Sequence, residues 1–220
     1  LDAAPGAGRV VIVGLYGHGL RIGMGSLGGW ETFGTWWTVT RADGNVVHEF
    51  DGEPALPVYK RAIGAHAYAL PSSGLLYPLH LEGEGDHDGP AASGIVRTLL
   101  AVDHRERTLT FAGAVPQGRR VRLMRATLDR LIDASGAAAT GSLSGLGGSS
   151  AQLVLLVSCI GRKLLLQRRV EEELQSARRV FGGQARFAGF YSYGELSPLT
   201  PSARCELHNQ TMTVTAIAEA

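Results

Sequence analysis

Three short stretches hold the side chains with the most chemistry to offer: Cys159-Ile160-Gly161-Arg162, Tyr191-Ser192-Tyr193-Gly194-Glu195 and His208-Asn209-Gln210. Together they supply a thiol, a guanidinium, two phenols, a carboxylate, an imidazole and amides. A guanidinium grips a carboxylate through two parallel hydrogen bonds, so Arg162 suits an acidic ligand and Glu195 suits an ammonium. The candidate ligand contacts are Cys159, Arg162, Tyr191, Tyr193, Glu195, His208 and Asn209. Cys159 with His208 as base would be the pair for nucleophilic catalysis. A free Cys at the end of an apolar strand is otherwise a small buried hydrophobe, and that role is taken here, so no catalytic residue is assigned. His208 has further readings: contact to a ligand, an axial nitrogen for haem iron, or a structural bond to Glu195 or a backbone carbonyl.

These stretches are brought together by the elements around them. Gln152 to Ser158 is apolar on both faces, as a central strand should be. Arg168 to Phe181 reads as a helix: Val170, Leu174, Ala177 and Phe181 recur at helical spacing. Glu171 to Glu173 lie at its positive end, Arg178 and Arg179 at the other, and Gly182-Gly183 stops it. Arg186 to Tyr191 and Thr211 to Ala218 read as strands. A β-α-β unit with a right-handed crossover makes its two strands parallel, and an antiparallel third strand begins at the edge where those two end. All three stretches therefore meet at the carboxyl ends of parallel strands, where open α/β sheets place their ligand crevices.

Upstream, Arg9 to Tyr16, Leu20 to Leu27, Thr35 to Arg41 and Asn45 to Asp51 alternate like strands of a meander separated by glycine-rich hairpin turns. Ala55 to Ile63 reads as a helix entered at Pro54 and stopped by Gly64. Strands are expected at Leu75 to Leu81, Ile95 to Asp103, Thr108 to Ala112 and Arg119 to Arg125. A helix follows over Thr127 to Ala139, and Thr140 to Ser150 is rich in Gly and Ser, the composition of a flexible connector. The fold class is α/β to α+β: mixed β-sheets with flanking helices, an N-terminal antiparallel meander and a C-terminal β-α-β-β unit.

Composition removes several functions. The 220 residues carry 21 basic and 20 acidic side chains, a net charge of +1 without a basic stripe, which argues against nucleic acid as a partner. The longest apolar run, Leu153 to Ile160, is far short of the ~20 residues that cross a bilayer. Cys159 and Cys205 form neither a disulfide framework nor a zinc spacing, and no His-Glu-x-x-His pair occurs. No secretory signal opens the chain. With Leu1 at the start and a strand pattern within ten residues, a piece of a longer cytoplasmic chain is expected. Gly23-Met24-Gly25-Ser26-Leu27-Gly28 matches the dinucleotide fingerprint in letters, but a Trp-rich strand follows where a helix must stand to receive the pyrophosphate. The glycines are read as turn residues. Glu82, Glu84, Asp86, His87 and Asp88 do not have calcium-loop spacing and are read as a solvated loop. Trp30, Trp36 and Trp37 cluster, with core packing expected for at least two.

Several ordered motifs together resemble a known family. Ser158-Cys159-Ile160-Gly161-Arg162, Gly189-Phe190-Tyr191-Ser192-Tyr193-Gly194-Glu195 and Cys205-Glu206-Leu207-His208-Asn209-Gln210-Thr211 are similar to the C-terminal half of the FIST sensory domain. Gly29-Trp30, Val39-Thr40-Arg41, Asn45-Val46-Val47 and Phe50-Asp51-Gly52, with Tyr59 and Gly64, resemble the end of its N-terminal half. Phe111-Ala112-Gly113 with Val115-Pro116-Gln117-Gly118 resembles a turn inside the C-terminal half. The resemblance implies a division into 1–56, the tail of a truncated N-terminal half, and 57–220, the C-terminal half. It also implies an intracellular bacterial sensory module for a small ligand, with amino acids suggested, coupled to a signalling output domain or kinase. Haem is implied as a possible cofactor, because some relatives sense nitric oxide through it.

Overall fold

The computed structural model describes residues 6–8, 12–83, 94–198 and 205–219. In chain order the elements are β1 (Leu20–Leu27), β2 (Glu31–Asp43), β3 (Val46–Phe50), β4 (Glu53–Pro54), α1 (Ala55–Ile63), β5 (Leu79–Leu81), β6 (Ile95–Arg97), β7 (Leu99–Asp103), β8 (Thr108–Phe111) and β9 (Arg120–Arg125). Then come α2 (Leu128–Ser144), β10 (Leu153–Cys159), α3 (Ile160–Leu166), α4 (Val170–Phe181), β11 (Arg186–Ser192), β12 (Glu195–Ser197), β13 (Glu206–His208) and β14 (Met212–Glu219).

Two mixed layers result. One antiparallel sheet, ordered β6-β5-β9-β2-β3-β8-β7, curls into a half-barrel over a core that includes Val39, Phe50, Tyr59, Leu79, Leu109 and Phe111. The second sheet is ordered β1-β14-β10-β11. Here β10 and β11 are parallel, and β14 runs antiparallel to β10 and to β1. The short β12-β13 hairpin lies beyond the carboxyl ends of β10 and β11. The α+β class and the β-α-β-β unit match the sequence expectation. Residues 20–27 join a sheet whose other strands lie beyond residue 152, so the first fifty residues do not stand as a separate meander.

The second sheet is covered on one face by α2 and α4. Val154, Leu156, Val214 and Ala216 point into that layer with Ala138, Ala139 and Ala177. The close fit of α2 explains the glycine fingerprint. A Cβ at Gly23 would run into the Ser142 carbonyl and one at Gly25 into that of Ala138, while Ser142 Oγ donates to Gly23 O at 3.0 Å. The expectation that these are turn glycines is corrected: Gly23 and Gly25 lie inside β1 and let a helix approach the strand backbone. A strand, β2, follows them, as the sequence indicates.

The same packing corrects residues 140–150. Instead of a flexible connector, α2 continues to Ser144. Its hydroxyls bond back along the helix, Thr140 Oγ1 to Gly136 O at 3.0 Å and Ser144 Oγ to Thr140 O at 2.9 Å. Small residues here serve contact with β1 rather than freedom. Residues 12–16 are irregular instead of forming part of a strand, and 9–11 of that expected strand lie outside the described residues. The acidic cluster from Glu84 to Asp88 also lies outside them. The expected strand over Ile95 to Asp103 breaks at Thr98 into β6 and β7, at opposite ends of the half-barrel sheet. The expected Leu75–Leu81 strand keeps only Leu79–Leu81, and the segment before α4 coils into α3.

Candidate functional site

The three stretches do converge. Cys159 ends β10 beside Ser192 of β11, its N–H donates to Thr211 O at 3.1 Å, and Glu195 pairs with His208 across the β12-β13 ladder. Their side chains separate into distinct environments.

Arg162 is fully buried and so is Glu173 of α4; Arg162 Nε donates to Glu173 Oε1 at 2.6 Å. Nη1 donates to Gly28 O at 2.6 Å and Gln210 O at 3.3 Å, and Nη2 to Leu131 O at 2.6 Å. Ser158 Oγ donates to the other Glu173 oxygen at 3.2 Å. One guanidinium thus ties together the loop after β1, α2, α4 and the segment before β14. Its hydrogen bonds are spent on the protein, so the forked contact to a ligand carboxylate expected from sequence has no free donor pair in this state.

Glu195 is equally engaged. Ser192 Oγ donates to Oε1 at 2.6 Å, and Thr211 Oγ1 and N–H donate to Oε2 at 2.9 and 3.3 Å. The Cys159 thiol also donates to this carboxylate, and burial raises the Glu195 pKa despite these donors. Cys159 is buried, and burial pushes its thiol pKa up, with the Glu195 charge adding to the effect. Neither His208 ring nitrogen is bonded to this thiol, Nε2 being held by Ser197 O and Nδ1 having no partner, so the Cys159–His208 dyad is not formed and the thiol stays protonated at neutral pH.

His208 points elsewhere. Its Nε2 donates to Ser197 O at 3.1 Å, its Nδ1 is buried without a partner, and burial lowers its pKa. Asn209 Nδ2 donates to His208 O at 3.1 Å, and its Oδ1 accepts from Thr98 N–H at 3.4 Å, joining the hairpin to the end of β6. Arg97 Nη1 donates to Leu207 O at 2.9 Å in the same seam. The imidazole does not fit an axial role. One nitrogen is held by a backbone carbonyl, the other is buried without a partner, and His208 does not line the cavity between α4 and β11. Among the described residues, no group of three His, Cys, Asp or Glu is placed to hold a metal ion.

The two tyrosines part company as well. Tyr193 is 86% exposed. Tyr191 faces inward, its hydroxyl buried and without a partner, and burial raises its pKa. It closes one end of a cavity of about 280 Å³ between α4 and β11, with Leu156, Ser158 and Gly189 in the floor and Leu174, Arg178 and Phe187 along the sides. Gly189 cannot carry a side chain, because a Cβ would meet the Leu156 carbonyl.

Sequence reasoning missed Glu173, Ser158, Trp30 and Gln210 as parts of the site. Gln210 is fully buried at φ 62°, a costly conformation for a residue with a Cβ. Its carbonyl accepts from Trp30 Nε1 at 3.1 Å and its Nε2 donates to Leu75 O at 2.9 Å, but its Oε1 has no partner. The run His208-Asn209-Gln210 placed it at this edge; nothing in its type signalled the left-handed turn.

Comparison with known families adds the decisive observation. The FIST C domain model matches residues 55–198, and the FIST N domain model matches residues 3–53. The chain belongs to the FIST family. No curated protein and no solved structure matches it. FIST domains are small-ligand sensory domains of signal transduction, and a non-enzymatic role fits that family. The FIST C match includes Cys159, Arg162, Tyr191, Tyr193 and Glu195 but stops short of His208 and Asn209. No helix among the described residues is long and apolar enough to cross a membrane.

Proposed function

We propose that this FIST chain is the ligand-binding part of a sensor and holds a small molecule at the carboxyl edge of β10 and β11. The observation that carries this is the Tyr191 hydroxyl, buried without a partner on a residue that lines the α4–β11 cavity. A buried hydroxyl without a hydrogen bond is costly, and a ligand acceptor removes the cost. Gln210 Oε1, His208 Nδ1, Ser197 Oγ and Thr98 Oγ1 are further buried atoms with unused capacity along the same edge.

Of the residues expected from sequence, Tyr191 makes direct contact in this reading and Tyr193 stands at the exposed rim. Cys159, Arg162, Glu195, His208 and Asn209 form the buried network that senses occupancy. An amino-acid ligand held by Arg162 and Glu195 requires both to exchange their protein partners. The signal follows from the network's connections: Ser158 and Tyr191 adjoin Glu173 and Arg162, whose bonds reach α2, the loop after β1 and the turn before β14. A ligand that prefers one arrangement of these elements shifts their population, and an output domain or kinase reads the shift. The segments 1–56 and 57–220 act as one unit in this proposal, because β1 completes the sheet that carries the site.

Thermal denaturation of the chain against a panel of amino acids and small carboxylates tests the reading. A ligand at a hundredfold excess over its Kd adds about 2.7 kcal/mol, a rise of about 5–10 °C for a chain of this size. No shift with any member overturns it.

A further inference from the structure

The geometry points to a monocarboxylate with an apolar body and no ammonium group as the ligand of the α4–β11 cavity, an inference that rests on the proposed small-ligand site at this edge. The floor and walls are mostly apolar: Leu156, Leu174 and Phe187 line them, and the Ser158 hydroxyl beside them is bonded to Glu173. Such a lining takes an aryl or alkyl group and offers nothing to a strongly polar one.

Charge at the rim is of one sign. Arg178 borders the cavity, its guanidinium 5.1 Å from the centre of the Phe187 ring. Lys163 Nζ stands 4.8 Å from the centre of the Tyr191 ring at the other end. Among the described residues neither cation has an ion-pair partner, although most arginines around the fold have carboxylate or carbonyl partners. Glu173, the nearest acid on α4, is buried and bound to Arg162 and Ser158. An anionic head is therefore attracted at either end and an ammonium is repelled. A carboxylate at the Tyr191 end pairs with the Lys163 ammonium, and the unpartnered Tyr191 hydroxyl supplies one more donor to it, while Arg178 at the far end disfavours an ammonium there. The contacts are noncovalent, and a cavity of about 280 Å³ suits a ligand of one ring or a short chain.

Calorimetric titration of the 220-residue chain with a matched set tests this: 3-phenylpropionate, 3-phenylpropan-1-ol, phenylalanine and glutamate. 3-Phenylpropionate should bind one to one. The alcohol, which lacks the charge, and phenylalanine, which adds an ammonium, should each bind at least about tenfold more weakly. Lys163→Gln, at an exposed position that does not endanger folding, should weaken 3-phenylpropionate about tenfold. Tyr191→Phe should weaken it about fivefold and leave thermal stability unchanged or raised, since it deletes only an unpartnered hydroxyl. If phenylalanine or glutamate binds more tightly and still loses affinity in Tyr191→Phe, the ligand class is overturned while the site stands. If 3-phenylpropionate binds wild type and both variants alike, the cavity is not the site. If nothing in the set binds, the ligand class is wrong, and the broader panel under Proposed function decides the site.

Discussion

Replacing Arg162 with Met removes the cation at the centre of the buried network and leaves Glu173 fully enclosed with only the Ser158 hydroxyl beside it. Breaking a buried pair from one side costs about 3–5 kcal/mol, because the remaining charge has neither water nor partner. The carbonyls of Gly28 and Leu131 also lose bonds of 2.6 Å, and an acceptor left unsatisfied costs about 1–3 kcal/mol. The loss should thus reach about 5 kcal/mol, a large part of the ~5–15 kcal/mol that holds a domain together. At about 2–4 °C per kcal/mol, the melting temperature should fall by about 10–20 °C. Urea unfolding with a fitted slope measures this without assuming an unchanged heat capacity. The double substitution Arg162→Met with Glu173→Met removes the isolated charge and should recover at least about 2 kcal/mol. A single-variant loss below about 1 kcal/mol, or a double variant no more stable than the single, refutes the view that this ion pair locks the four elements.

Burial holds His208 neutral in the folded protein, below its ordinary pKa, whereas the unfolded chain takes up a proton near pH ~6.5. Stability should therefore be lost as pH falls from about 6.5 toward the lower folded value, and His208→Gln should remove that part of the slope. Glu195 acts in the opposite sense, its raised pKa costing stability as pH rises through it, so the wild-type minus variant difference is the quantity to read; no difference in slope contradicts the burial argument. Gly25→Ala drives a Cβ into the Ala138 carbonyl and should cost about 1–3 kcal/mol in thermal unfolding, with a change under about 0.5 kcal/mol refuting the tight α2–β1 contact. In the folded chain iodoacetamide should label exposed Cys205 and spare Cys159, whose thiol is buried and kept protonated; equal labelling on peptide mapping contradicts this.

The framework of the site was legible because it rests on periodicity. The two-faced apolar run of β10, the helical spacing in α4 and the strand after Gly182-Gly183 imply a parallel pair, and that pair brings residues 159, 191 and 208 to one edge. What each side chain does there was not legible. A guanidinium at a strand end binds a ligand carboxylate or a set of carbonyls with equal chemistry, and only the enclosure of Arg162 by α2 and Glu173 decides for the carbonyls. Glu173 stood among three acids at a helix start and looked like dipole compensation, while its place on the inward face depends on how α4 sits on the sheet. Small residues misled in both directions. Gly and Ser after residue 139 resemble a linker in composition, and Gly23 and Gly25 resemble a nucleotide loop in spacing. Both patterns come from one long-range contact between α2 and β1.

Amide hydrogen exchange, followed by mass spectrometry with and without saturating 3-phenylpropionate, tests most directly that a small ligand acts on the carboxyl edge of this sheet. Binding should slow exchange in α4 and β11 and in the network segments around Cys159 to Arg162 and His208 to Thr211, while β7 and β8 of the half-barrel stay unchanged. Unaltered exchange along β11 and α4, or protection confined to the half-barrel, would contradict it.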